Sequence, residues 1–324
     1  MSVPMLHLNS GYTIPQLGLG TWLTKGENGD AVKIVGEMGK AVRMALEVGY
    51  RHFDCAVIYE NQEEIGDVFK NAFNSGKVKR EDVFVTSKIW NTDHSYAKAT
   101  EAIDNILKQL QLSYLDLCLI HWPMGYFEED GFFPEDENGK NLYSSVDYLE
   151  TWRAMEDAVK NGKIRSIGLS NFNVKQIERV TNHSEIKPAV LQVESHPYFP
   201  QTTLLEWCKK RGIVVTAYSP LANNSHMFRK KGQPNLLEDK VVVGIAEKHR
   251  KTPAQVVLRW AIQRGTVVIP KSTNLARIEE NLNVWDFELP SDEMEAFNCL
   301  NCNWRIMLLQ RDANHPHHPF YESA

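Results

Sequence analysis

The chain reads as an α/β protein, a (β/α)8 barrel of the TIM type with an N-terminal β-hairpin and a long C-terminal loop. Three observations predict it. Eight short apolar runs, several rich in Val and Ile, recur along the 324 residues and read as strands buried on both faces. Amphipathic stretches, several closed by glycine, lie between them and read as helices. Polar, reactive residues gather at the C-terminal ends of the runs, where barrels of this class carry their sites. An open doubly wound sheet would show the same alternation, and the pattern alone leaves that alternative standing.

The elements follow in order. LHLNSGYTIP gives two short strands around Ser10-Gly11, a hairpin within about residues 1–15. The strand runs are 17–20, 51–55, 83–89, 115–121, 165–170, 190–194, 214–218 and 267–270. Helical patterns cover 39–48, closing at Gly49; 63–73, closing near Ser75-Gly76; 95–110, opening on Ser95 as a cap; 146–160, closing at Gly162; and 204–210, closing at Gly212. Three more cover 237–249, 253–263 and 275–282. Segments 124–145, 221–236 and everything after residue 300 are too long for tight connections, and long loops on a barrel usually carry function. No linker, low-complexity tract or further repeat interrupts the pattern. Residues 1–324 are expected to form one domain, with about 300–324 as the C-terminal loop.

Composition narrows the partners. With 43% hydrophobic and 24% charged residues there is material for a large core and no mark of disorder. A net charge of −5 argues against a nucleic-acid partner. No apolar run approaches the roughly 18–20 residues of a membrane span, and residues 1–9 show no basic-then-apolar signal. Cys55, Cys118, Cys208, Cys299 and Cys302 are an odd, sparse set and read as free thiols in a reducing compartment, which predicts a cytoplasmic protein. Cys299-x-x-Cys302 has no second pair. His315, His317 and His318 read as a solvated tail, so no metal site is expected.

The strand ends carry the chemistry. The second run ends in Asp54, with Tyr59 just after; the third ends in Lys88 and the fourth in His121. One such residue is unremarkable, because it can cap the next helix. Asp, Lys and His on three consecutive strands are harder to read that way. A lysine inside a barrel mouth needs a carboxylate partner, and Asp54 lies one strand away. A tyrosine ordinarily titrates near pH 10, and a neighbouring ammonium lowers that value. Tyr59 beside Lys88 is therefore expected to be a usable proton donor, and a neutral His121 to orient a carbonyl oxygen. The set suits a carbonyl that accepts hydride at carbon and a proton at oxygen.

At this point the motifs resemble a known family, the aldo-keto reductases, most closely the aldose reductase and aldehyde reductase branch. The likeness spans nearly the whole chain: GYRHFDCAVIYENQEEIG at 49–66, VFVTSKIW, DLCLIHWP, KIRSIGLSNF, LQVESHPY, AYSPL and IPKSTNLARIEEN stand in the family's order. The resemblance implies a catalytic set of Asp54, Tyr59, Lys88 and His121. It implies NADPH as cofactor, with Ser170, Asn171 and Gln192 at the nicotinamide amide, Tyr218 stacked on its ring, and Ser219 and Leu221 at the pyrophosphate. Lys271, Ser272, Thr273 and Arg277 match the grip on the 2′-phosphate, and Glu280 and Asn281 the adenine contacts. Two cations, hydroxyls and a helix N-terminus suit a phosphate. The pocket walls are expected from Trp22, Trp90, Trp122, Phe132, Phe133 and Trp304, which favours apolar or aromatic aldehydes. Arg305 is either a contact for a polar substrate group or a surface charge.

The implied activity is NADPH-dependent reduction of aldehydes and some ketones by a monomer. A reductase for a larger ketone such as a steroid or ecdysteroid is the alternative, and a non-catalytic NADPH-binding barrel a more distant one. There are departures. Close relatives carry a Lys after the Trp of the first strand, paired with an acidic loop residue over the bound pyrophosphate. Here Leu23 and Ser225 stand at those places, so that clamp is expected to be absent, while Arg229, Lys230 and Lys231 offer cations nearby. Gly18-Leu-Gly20 is followed by Leu23 where a third glycine would complete a dinucleotide fingerprint.

Overall fold

The computed structural model describes residues 3–23, 36–128, 131–222 and 233–320. Ser225, Arg229, Lys230 and Lys231 lie outside them. Strands β1 (Met5–His7) and β2 (Thr13–Pro15) pair antiparallel around the expected turn, where Gly11 takes a φ of 89° that side chains disfavour. Eight parallel strands follow: β3 (Leu19–Gly20), β4 (His52–Asp54), β5 (Phe84–Ile89), β6 (Leu115–Ile120), β7 (Ile164–Ser170), β8 (Val190–Glu194), β9 (Val214–Tyr218) and β10 (Val267–Val268). Each pairs with the next in chain order. The ring then closes. Leu17 bridges Val268, the Gly18 N–H donates to the Val268 carbonyl at 2.9 Å, and the Val268 N–H donates to the Gln16 carbonyl at 3.0 Å. Closure excludes the open sheet and leaves the barrel.

Helices α1 (Glu37–Val48), α2 (Gln62–Asn74), α3 (Tyr96–Leu110), α4 (Tyr148–Lys160), α5 (Val174–Asn182), α6 (Thr202–Lys209), α7 (Lys240–His249), α8 (Pro253–Gln263), α9 (Leu275–Leu282) and α10 (Ser291–Asn298) complete the fold. Their ends follow the sequence signals. Gly49, at φ 111°, closes α1 by donating to the Ala45 and Leu46 carbonyls, and the Ser95 side chain accepts from the Lys98 N–H at the start of α3. Two helices lie where none is expected, α5 and α10. Only Ile177, Val180 and Gln176 of α5 are buried, so its apolar stripe is too thin to read. Its one clear signal is a reciprocal cap between Asn173 and Gln176.

Strand alternation divides the core in two. Phe53, Val85, Cys118, Ile120, Ile167, Leu191 and Val215 pack outward in one large cluster with the helices. The alternate residues Phe84, Leu117, Leu119, Val190 and Val267 pack with Leu8 and Ile14 of the hairpin, which plugs the N-terminal end of the ring. Gly168 lies where strands crowd: a Cβ there would meet the Val190 carbonyl oxygen at 2.4 Å and the Leu119 side chain at 2.8 Å.

The histidines at 315–318 do not lie in a solvated tail. His315 and His318 are buried, the His315 ring stands edge-on to Tyr143 at 4.7 Å, and the His317 ring stands edge-on to Tyr148 at 5.1 Å. Imidazole rings bury well against aromatic faces, which a polar reading of the His-Pro-rich segment misses.

Candidate active site

Each strand from β4 to β9 delivers a polar side chain to the same end of the ring, either from its last turn or from the next residue. Lys88, on β5, has no exposed surface. Its Nζ donates to Asp54 Oδ1 at 2.5 Å, to the Cys55 carbonyl at 2.9 Å and to the Tyr59 hydroxyl at 3.3 Å. A buried ammonium with three oxygen partners satisfies the demand that burial places on a charge. Asp54 is fixed from its other side by Gln192 of β8, whose Nε2 donates to Oδ2 at 2.7 Å. Tyr59 ends a short turn, Val57–Tyr59, and its ring meets His121 nearly edge-on, with centroids 5.9 Å apart. The four residues expected at the reaction centre therefore stand together.

Their charge states depart from one expectation. Burial pushes the Tyr59 phenol up to about 12, and the Lys88 ammonium pulls it down by less than burial raises it. The sequence reading counted the cation and not the loss of water. For Lys88 burial acts to lower the pKa, but Asp54 and Tyr59 together outweigh it and hold the ammonium charged. Burial, and then the Lys88 charge, hold His121 well below the usual imidazole range, so it is neutral. Its Nδ1 is buried without a hydrogen-bond partner. An unpaired acceptor is better tolerated than an unpaired N–H, so the proton belongs on Nε2.

A second network adjoins the first. Asn171 Nδ2 donates to the His121 carbonyl and to Ser170 Oγ, both at 3.0 Å, and Asn171 Oδ1 accepts from the Tyr218 hydroxyl at 2.8 Å. Asn171 at φ 63° and Ser219 at φ 47° hold left-handed backbone, a strain that gathers at functional sites. Leu221 is half-buried against the outer core.

The start of α9 forms a separate corner. Ser272 Oγ accepts from the Asn274 N–H, and the Asn274 side chain caps the helix by accepting from the Arg277 N–H. Lys271 and Arg277 are exposed, Thr273 is half-buried, and Asn281 is buried. Among the described residues Arg277 has no ion-pair partner. Glu280, expected at the adenine, is already engaged, accepting from the Thr252 hydroxyl at 2.7 Å.

The aromatic residues divide. Trp90 is a hub, edge-on to His121 at 5.2 Å and to Phe133 at 5.5 Å, with its Nε1 donating to the Phe132 carbonyl. Trp122 packs in the same cluster, and Trp22 lies 6.5 Å from the Tyr59 ring. Trp304 does not join this cluster; it packs on Tyr198 and His196 beyond β8. Tyr126, Met124, Leu309 and Phe320 complete the wall, and sequence reasoning missed them. Only Tyr126 had a local signal, its place in a long aromatic loop. Arg305 is a surface charge only in part: its guanidinium lies 4.4 Å from the Phe199 ring and 3.6 Å from the Phe320 ring.

Comparison with known proteins agrees with this geometry. Residues 16–301 match the model of the Aldo/keto reductase family. The chain is 46% identical to Aldo-keto reductase family 1 member A1 of Gallus gallus over 323 residues, 97% of this chain and 96% of that protein. It is 43% identical to the Homo sapiens protein of the same name over 330 residues, 99% of each. Among solved structures it is similar to the aldose reductase from Schistosoma japonicum, with a TM-score of 0.90 and 44% identity over 99% of this chain and 100% of that one. The barrel, the clustered strand ends and full-length likeness lead to one conclusion: this chain belongs to the aldo/keto reductase family.

Proposed function

We propose that the chain reduces aldehydes, and some ketones, to alcohols with NADPH, and that Tyr59 gives the proton. The observation that carries this reading is the Lys88 ammonium, shut away from water between Asp54 and the Tyr59 hydroxyl. NADPH, when bound, would supply the hydride that the carbonyl carbon accepts. The raised pKa of Tyr59 keeps its proton in place until charge develops on the carbonyl oxygen. The O–H then gives that proton to the oxygen, and the phenolate left behind rests against Lys88, which Asp54 holds in position. Neutral His121 offers an N–H to orient the same oxygen. Donors fixed in advance cost no reorganisation during reaction.

The residues present fit the cofactor. The Ser170 hydroxyl and the Asn171 and Gln192 amides suit a carboxamide, the Tyr218 ring suits the nicotinamide face, and Ser219 and Leu221 suit the pyrophosphate. Lys271 and Arg277, with Ser272 and Thr273 at the α9 N-terminus, suit a 2′-phosphate, which NAD lacks. Asn281, and Glu280 through what its bond to Thr252 leaves open, would meet the adenine. Trp22, Trp90, Trp122, Phe132 and Phe133 favour apolar or aromatic carbonyl substrates, while Trp304, packed on Tyr198 and His196, would reach a substrate only through the C-terminal loop.

The test is NADPH consumption with a reactive aromatic aldehyde, wild type beside Tyr59→Phe. Loss of the acid is expected to lower kcat by about 10²–10⁴-fold. NADPH affinity should stay unchanged. Equal turnover by the two proteins would remove Tyr59 from the mechanism, and no turnover by either, with NADPH bound, would favour a binding role.

A further inference from the structure

The C-terminal loop is tied to the barrel through Glu194, a residue the proposed chemistry does not use. Glu194 ends β8, two residues beyond Gln192, and its side chain is fully buried. Its Oε1 accepts from the Ile306 N–H at 2.7 Å and from His196 Nε2 at 3.0 Å, and its Oε2 accepts from the Met307 N–H at 2.8 Å. Both backbone donors lie more than a hundred residues away along the chain. The His196 ring is also buried, and its Nδ1 has no partner, so Nε2 carries the N–H that it donates to Glu194. Arg305 lies near enough to feel the carboxylate's charge but stacks on Phe199 and Phe320, and no ion pair joins it to Glu194 among the described residues.

The neighbouring contacts come from the same place. The Cys302 and Trp304 N–H groups both donate to the Tyr198 carbonyl, at 3.2 and 3.1 Å. Residues 302–307 are thus held by the exit of one strand. Just beyond that segment, Leu309 packs on the cluster of Trp90, Trp122, Met124 and Tyr126. The register of Ile306 and Met307 on the Glu194 carboxylate therefore sets where Leu309 meets the aromatic wall.

We infer that Glu194 is a positioning residue for substrate choice: its carboxylate fixes the register of the C-terminal loop over the pocket without touching the reaction. The inference rests on the proposed reductase reading. In Glu194→Gln one acceptor becomes an amide N–H₂, and a donor then faces a donor at Ile306 or Met307. Loss of a charged hydrogen bond of this kind is expected to raise KM for 4-nitrobenzaldehyde about tenfold, while KM for propanal and kcat for both stay within about twofold. Replacing Glu194 by Asp, which keeps both oxygens, should recover part of the loss. Amide hydrogen exchange supplies a readout independent of turnover, first in the wild-type protein and then in the variant. In the wild-type protein the Ile306 and Met307 amides should exchange more slowly than that of Leu308, and Glu194→Gln should erase the difference. Exchange at Ile306 and Met307 as fast as at Leu308 in the wild type, or an equal KM rise for both aldehydes, would overturn the inference. No turnover in the wild type with protected amides would instead strike the reductase reading and leave the anchor in place.

Discussion

Two cations in this protein are proposed to serve the same reaction, and they are built in opposite ways. Lys88 is enclosed, and its ammonium donates to Asp54, Cys55 and Tyr59 before any ligand arrives. Arg277 stands exposed in the first turn of α9, and none of the described residues forms an ion pair with it. The difference follows from solvation. A charge removed from water must be satisfied by the fold, so Lys88 is at once part of the structure and part of the site. A charge left in water needs no partner and stays available to an anion. Substitution at the first position should therefore alter stability and turnover together, and substitution at the second should alter ligand choice alone.

The largest effect is expected at Lys88. In Lys88→Met the Asp54 carboxylate keeps its place without its cation, and breaking a buried pair in this way costs about 3–5 kcal/mol. The same change removes the charge that stabilises the Tyr59 phenolate, so kcat should fall by about 10²–10⁴-fold. Urea unfolding and NADPH consumption check the two halves separately. A variant that lost turnover at full stability would break the contrast, since Lys88 would then have no structural share.

Buried histidines sharpen the comparison, because burial there removes charge instead of pairing it. Burial lowers His52 to about 4, His94 to about 3 and His315 to about 4. The unfolded chain takes up protons near pH 6.5 while the folded rings stay neutral. Stability is then complete above about 6.5 and falls as the pH drops, until the folded values are reached. At pH 5 each ring should cost about 2 kcal/mol. The urea midpoint measured from pH 7 to pH 5 tests this, and a flat profile would mean these rings are hydrated.

How much of this was legible depends on how far apart the partners lie in the chain. The strands were legible because β-branched runs with glycine-closed helices between them are local signals. Asp54, Lys88 and His121 were legible because each closes such a run, and Tyr59 because it stands just after one. Helix α5 was hidden because its apolar stripe is three residues wide at most. The histidines of the C-terminal segment were misread because the rings that bury them, Tyr143 and Tyr148, come from another part of the chain. Glu194 stood in plain view on a strand with no assignable role. Its partners at Ile306 and Met307 are set by the closed barrel and not by any local pattern. The Tyr59 pKa failed for a related reason: sequence shows the neighbouring charge, while the loss of water belongs to the assembled mouth.

The smallest effect is expected at the exposed end of the comparison. Arg277→Met removes a guanidinium whose side chain makes no ion pair with another described residue, so stability should change by no more than about 0.5 kcal/mol. A charged hydrogen bond to phosphate is worth about 1.5–3 kcal/mol, which predicts a rise of roughly 10–100-fold in the Kd for NADPH. NADH has no 2′-phosphate and should bind the variant and the wild type alike. Fluorescence titration with both cofactors separates the outcomes. An equal loss for NADPH and NADH would mean that Arg277 acts on the shared part of the dinucleotide. No loss for either would move the phosphate grip to Lys271 and to residues beyond α9.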